Sequence, residues 1–330
     1  MKVSKHVGFV LLSLFALMLY VSTLYNTVIS AWAFLIAFTV FFAGAIASGV
    51  KVYRDEIRKQ PPTDVTSRTS VTVFLATAGG SVVTYLIHYG LDSLSVPAPA
   101  VIASGLVGVL AYFFTRKLAV PVYCGSFVGM SSPLVFQVIP FALATVFASL
   151  LFVLSQKMFD GYGGKLGTIA MSGALIPTFI TRMDFSHFVE VATPYTAVEQ
   201  LIIVMLSAAA AIVTFSISHR ANTGPVFSSG AVGLAGGVAL PLLVSGPIGV
   251  TYAVVIIGAS FVGMSGINRF KDEVAMFVAG TLFGLIFIFS APFFNGAGGK
   301  LGTIAFVSAL SVYGVKMALD RINAKTEPEC

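Results

Sequence analysis

"GGKLGTIA" runs from Gly163 to Ala170 and returns unchanged from Gly298 to Ala305, an offset of 135 residues. Chance would produce such an eight-residue identity far less than once in a chain of 330 residues, so it marks an internal duplication. Moving outward, "SFVGMS" stands at Ser126–Ser131 and again at Ser260–Ser265, an offset of 134. Further upstream the likeness weakens but persists: "ASGLVGVLA" at 103–111 pairs with "SSGAVGLAG" at 228–236, and "VVTYLIH" at 82–88 with "IVTFSIS" at 212–218. The first repeat with its connecting loop therefore covers 70–195 and the second 196–318. Residues 1–69 and the tail 319–330 stand outside the duplication.

Every matched block lies in or beside a long apolar run. The chain is 57% hydrophobic and only 10% charged, with a mean hydropathy of +0.95, whereas soluble domains carry roughly 25% charged residues. Those values describe an integral membrane protein. Cys124 and Cys330 supply neither a CxxC pair nor a disulfide framework. The N-terminal run "MKVSKHVGFVLLSLFALMLYV" is too long for a signal peptide and has no small-x-small cleavage site behind it, so it is expected to remain as the first helix.

Apolar windows define twelve segments, centred on 7–26, 30–50, 70–88, 99–115, 118–131, 136–157, 163–181, 196–218, 227–244, 246–264, 272–291 and 299–318. The fifth, seventh and tenth fall short of the roughly 20 residues that a simple span needs. With the N-terminus placed in the cytoplasm, 17 of the 19 basic residues fall on the inner side, leaving Arg182 and Lys300 outside. A missed or invented crossing would invert every later loop and scramble that pattern. The expectation is an all-α polytopic protein of about 12 transmembrane segments arranged 2 + 5 + 5. Both termini would be cytoplasmic, in the cytoplasmic membrane of a bacterium or archaeon. A re-entrant pair would satisfy the same signs.

Five segments is an odd number, so the second repeat must start on the opposite face from the first. Inverted-topology repeats underlie alternating access in many secondary transporters, and they also occur in pores. The runs "FDGYGGKLGT" at 159–168 and "FNGAGGKLGT" at 294–303 set glycine-rich backbone directly before a helix start. Such backbone is tolerated in a bilayer only inside protein or along a cavity, and a helix N-terminus favours an anion. The candidate substrate-binding residues are accordingly Gly163, Gly164, Lys165 and Thr168 with Gly298, Gly299, Lys300 and Thr303. Ser126, Ser131, Ser260 and Ser265 of the "SFVGMS" runs join them as broken-helix ends. Asp160 is a candidate proton or coupling-ion site or a local partner for Lys165; its counterpart Asn295 cannot neutralise Lys300. The bland alternatives are packing through small-xxx-small faces and lysines that snorkel to the headgroups.

Other polar residues read as ordinary. His88 is expected at the interface, Glu199 as a first-turn acid of the eighth segment, and Arg182, Asp184, His187 and Glu190 as a solvated outer loop. No nucleotide-binding or metal-ligating motif occurs, so no cofactor and no metal is expected, and nucleic acid is not a partner. Anionic lipids at the cytoplasmic face suit the basic loops, and a homo-oligomer through the first two helices is compatible with the sequence. The leading expectation is a secondary transporter of a small anionic solute, ion- or proton-coupled. A passive channel with paired half-helices, and an intramembrane enzyme or structural membrane protein, stay open as alternatives.

Overall fold

The computed structural model describes residues 2–30, 34–58, 67–181 and 195–326. Among these residues it is all-helical, and each of the twelve apolar segments holds one helix. In chain order they are α1 (Lys2–Ser30), α2 (Leu35–Val52), α3 (Ser67–Ser93), α4 (Pro99–Phe114), α5 (Ala119–Gly129) and α6 (Val138–Leu154). The second half holds α7 (Lys165–Thr181), α8 (Ala197–Arg220), α9 (Pro225–Leu243), α10 (Pro247–Gly263), α11 (Glu273–Phe289) and α12 (Lys300–Thr326). A π-helical turn, Tyr53–Arg58, prolongs α2.

Local chemistry sets these boundaries. Proline opens α4, α9 and α10, where its fixed φ suits a first turn and its missing N–H costs nothing. Thr196 and Glu199 form a reciprocal capping box at the start of α8, and the Asp272 carboxylate accepts from Ala275 N at the start of α11. Six helices are long and apolar enough to cross a membrane: α1, α2, α3, α8, α9 and α12. The shortness expected of three segments extends to six. α4, α6, α7, α10 and α11 have 16 or 17 residues and α5 has 11.

Helix length locates the two glycine-rich loops. Lys316 Nζ donates to Asp272 Oδ2 at 2.8 Å and Arg220 pairs with Glu273, so the start of α11 sits beside the end of α8 and the C-terminal half of α12. The other end of α11 meets the C-terminal part of α1, where Asn26 Nδ2 donates to Phe289 O at 2.8 Å. Its 17 residues separate these ends by about 25 Å, at about 1.5 Å per residue. The 266–272 connection, which touches Gly161 through the Gly266 N to Gly161 O bond of 3.0 Å, therefore lies a helix length from the loop that follows Phe289. The two loops enter the bundle from opposite ends.

Candidate functional site

The two "GGKLGTIA" segments meet. A Cβ on Gly164 would run into Gly302 O and Phe306 N, and a Cβ on Gly299 into Gly167 O and Met171 N. Gly167 and Gly302 likewise face each other backbone to backbone. Gly164 and Gly299 have φ of +82° and +92°, so sterics and backbone conformation both demand glycine at these two positions. α7 and α12 thus come in from opposite ends and overlap antiparallel through their first turns. The positive ends of two helix dipoles are brought together in the interior of the bundle.

Hydrogen bonds around this crossing occur in pairs that exchange the repeats. Gly163 N donates to Ser265 Oγ at 3.1 Å, and Gly298 N donates to Ser131 Oγ at 3.1 Å. Gly266 N donates to Gly161 O at 3.0 Å, and Ser132 N to Gly296 O at 2.9 Å. Ser104 meets Ser126 at 2.9 Å, as Ser229 meets Ser260 at 2.8 Å. Phe127 and Phe261, the aromatic residues of the two "SFVGMS" runs, contact each other with ring centroids 4.4 Å apart. Phe159 and Phe294, paired by the same offset, both hold left-handed backbone at φ +54° and +58°. Bulky side chains rarely adopt that conformation, and it persists only where the surroundings enforce it.

At the second loop the pairing ends in an open space. A cavity of about 480 Å³ is lined by residues 294–301 together with Phe127, Phe261, Met130, Phe287, Tyr195 and Thr251, among others. Lys300 Nζ donates to Asn295 Oδ1 at 2.8 Å and to Ala291 O at 3.3 Å, which holds the ammonium over the Asn295 side of this cavity. Among the described lining residues the ionisable side chains are Lys300 and Tyr195, and no carboxylate is among them.

At the first loop the corresponding positions carry larger polar side chains. Arg269 forms an ion pair with Glu56, donates through Nε to Asp160 O at 3.1 Å, and lies 4.7 Å from the Tyr162 ring centre and 5.6 Å from that of Tyr313. Burial works against the Arg269 charge, yet Tyr162, Tyr313 and Glu56 outweigh it and raise its pKa above the ordinary arginine value. Glu56 also accepts from Phe159 N at 2.8 Å, and Lys51 Nζ donates to the Tyr313 hydroxyl at 3.2 Å. By the repeat offsets Arg269 corresponds to Val135 and Tyr162 to Ala297. A bulky polar plug at one loop therefore replaces two small apolar residues at the other. Lys165 Nζ lies 3.2 Å from Asp160 Oδ1, the same five-residue reach that joins Lys300 to Asn295.

No known family, curated sequence or solved structure matches this chain. The site must be read from its own geometry.

Of the residues singled out in the sequence, Asn295, Gly298, Gly299 and Lys300 line the cavity. Gly163 and Gly164 are buried at the crossing, and Lys165 and Asp160 are bonded to each other. Ser131 and Ser265 hold the opposite repeat's glycine loop through its N–H groups. Ser126 and Ser260 are fully buried and donate to Tyr123 O and Ile257 O, away from the cavity. Thr303 donates to Gly299 O at 3.1 Å; the Thr168 hydroxyl is buried and makes no hydrogen bond among the described residues. His88 is buried rather than interfacial, its Nδ1 lying 3.3 Å from Gly129 O at the end of α5. Arg182, Asp184, His187 and Glu190 lie outside the described residues. Glu56, Arg269, Tyr162 and Tyr313 are the site residues that sequence reasoning did not single out. The signal for Arg269 was present: it is a charged residue whose repeat partner is valine.

Proposed function

We propose that this chain is a secondary carrier of a small anion, embedded in a cytoplasmic membrane with both termini inside. It works by alternating access between two inverted five-helix repeats. The observation that carries the reading is the cavity at Lys300, which reaches the first turn of α12. An anion there meets a fixed ammonium and the positive end of the α12 dipole. The reciprocal hydrogen bonds across the crossing support the inverted relation, because each bond has a counterpart with the repeats exchanged.

In this reading the structure is the outward-open state. The Arg269–Glu56 pair, stacked on Tyr162 and Tyr313, seals the cytoplasmic end, while Val135 and Ala297 leave the outer end open. Exchange of the two loops' environments would close the cavity at Lys300 and open the one at Lys165. The basic loops that converge on the sealed end, among them Arg220 and Lys316 with their carboxylate partners, lie where anionic headgroups would meet them.

Uptake in proteoliposomes tests the proposal. Expected is saturable anion uptake with counterflow, lost in Lys300→Ala. Conductance without counterflow would establish a channel instead, and uptake untouched by Lys300→Ala would remove the cavity from the path.

A further inference from the structure

Resting on the anion-carrier reading above, we propose that the transported solute is an organic anion with an apolar, ring-sized body, rather than a halide or an inorganic oxyanion. The cavity has one described fixed cation, Lys300, and one amide, Asn295, on the side of the glycine loop. The rest of the described lining includes Phe127, Phe261, Phe287, Phe294, Met130 and Leu301, with the Tyr195 and Thr251 hydroxyls as the other polar side chains. A compact inorganic anion needs donors on most of its surface, and pressing it against phenyl rings strips hydration without replacing it. A carboxylate on an apolar body divides the same space correctly: the charged end goes to Lys300 and the helix N-terminus, the body to the rings. Ligand pockets of about 300–1,000 Å³ with apolar walls and a few fixed polar groups take such molecules. At about 30 Å³ per water, 480 Å³ corresponds to roughly sixteen waters, far more than one oxyanion displaces.

The duplication supplies an independent observation. A carrier must recognise its solute from both sides, so the residues that recognise it should survive in both repeats even where neighbours have diverged. By the repeat offsets Lys300 corresponds to Lys165, Phe287 to Phe152, Phe294 to Phe159, Met130 to Met264 and Phe127 to Phe261. Between and beside them the type changes: Ala291 corresponds to Gln156, Asn295 to Asp160 and Ala297 to Tyr162. The retained set is one ammonium with three phenyl rings and a thioether. The positions that changed are the polar or bulky ones that distinguish the open end from the sealed one.

The test is isothermal titration of the purified full chain in lipid nanodiscs with phenylacetate, acetate, inorganic phosphate and the neutral isostere phenylacetamide. Phenylacetate is expected to bind at least tenfold more tightly than the other three. Lys300→Gln should bring phenylacetate to the level of phenylacetamide, Lys300→Arg should keep the preference for the anion, and Phe287→Leu should weaken phenylacetate several-fold with acetate unchanged. Acetate or phosphate binding as tightly as phenylacetate, in a Lys300-dependent way, would overturn the substrate class and leave the anion carrier standing. Phenylacetamide binding as tightly as phenylacetate would overturn the anion reading itself, and no binding by any of the four would overturn both. The comparison among the four ligands on the unmodified protein decides even if a variant fails to fold.

Discussion

Under the alternating-access proposal, replacing Glu56 by Gln should release the sealed end. The Glu56 and Arg269 side chains are only 12% and 16% exposed, so their ion pair belongs to the buried class, where removing one partner typically costs about 3–5 kcal/mol. Glutamine recovers part of that. Its amide oxygen can still accept from Phe159 N, and Arg269 keeps the Asp160 carbonyl and the Tyr162 and Tyr313 faces, with each cation–π contact worth about 0.5–1 kcal/mol or more. A net loss of about 2 kcal/mol from the sealed state remains. At about 1.4 kcal/mol per tenfold, it lowers the ratio of outward-open to inward-open molecules by about 30-fold. Single cysteines report the shift in a background lacking Cys124 and Cys330. Met130→Cys sits on the outer cavity and Met264→Cys is its repeat partner. With a membrane-impermeant maleimide applied to the inner face, labelling at position 264 should rise at least tenfold in Glu56→Gln. From the outer face, labelling at position 130 should fall. Unchanged labelling at both positions, in a variant with normal thermal stability, would refute the sealing role.

Other perturbations test the crossing and its supports. Ser131→Ala leaves the buried Gly298 N–H without its acceptor and should cost about 1–3 kcal/mol; Ser265→Ala should cost a similar amount at Gly163, read as matched drops in apparent melting temperature. Gly302→Ala gains up to about 1 kcal/mol of helix propensity but sets a methyl against the Gly167 backbone, which cannot rotate away, so net destabilisation of about 1–3 kcal/mol is expected; a raised melting temperature would contradict the contact. The Asp272 carboxyl is held below its ordinary pKa by its hydrogen bond from Lys316 and then by Ala275 N. Its folded-state pKa is depressed, so its contribution is complete above the unfolded value of about 4 and fades as pH falls through the folded value. Asp272→Asn should therefore narrow the stability difference from the parent below about pH 4, with an effect under about 1 kcal/mol because the pair is nearly half exposed.

The unusual backbone at the glycine loops was legible because duplication and glycine chemistry coincide there, whereas the contact between the two copies was not. Two identical segments rich in glycine predicted backbone in an unusual conformation beside a helix start, and Gly164 and Gly299 have the positive φ that only such residues take readily. Helix boundaries were legible where they depend on local caps, as at Thr196 with Glu199. What could not be read was pairing between distant residues. Glu56 and Arg269 are 213 positions apart, and the acid belongs to a segment outside the repeats, so no internal comparison points to it. The serines of "SFVGMS" show the other kind of ambiguity. A hydroxyl at the end of a short helix serves a solute or a backbone N–H equally well in sequence. Only the fold shows that Ser131 and Ser265 take the N–H of the opposite glycine loop.

The first two helices now acquire a physical role. Two equal repeats would give a carrier with no preferred side, because exchanging them returns the same molecule. Here the exchange is broken by groups that have no second copy. Phe9 of α1 stacks on Phe159 with centroids 5.3 Å apart and planes within 6° of parallel, Ser48 of α2 donates to Leu310 O of α12 at 2.7 Å, and Glu56 beyond α2 accepts from Phe159 N. Phe294, the partner of Phe159, lines the cavity at Lys300. Helices α1 and α2 thus hold the first glycine loop, whereas the second borders the cavity. In the carrier proposed above, α1, α2 and Glu56 would set the resting orientation of a scaffold that is otherwise indifferent. On that proposal, substitutions at Phe9, Ser48 and Glu56 should therefore shift the balance between the two orientations without touching any residue of the cavity.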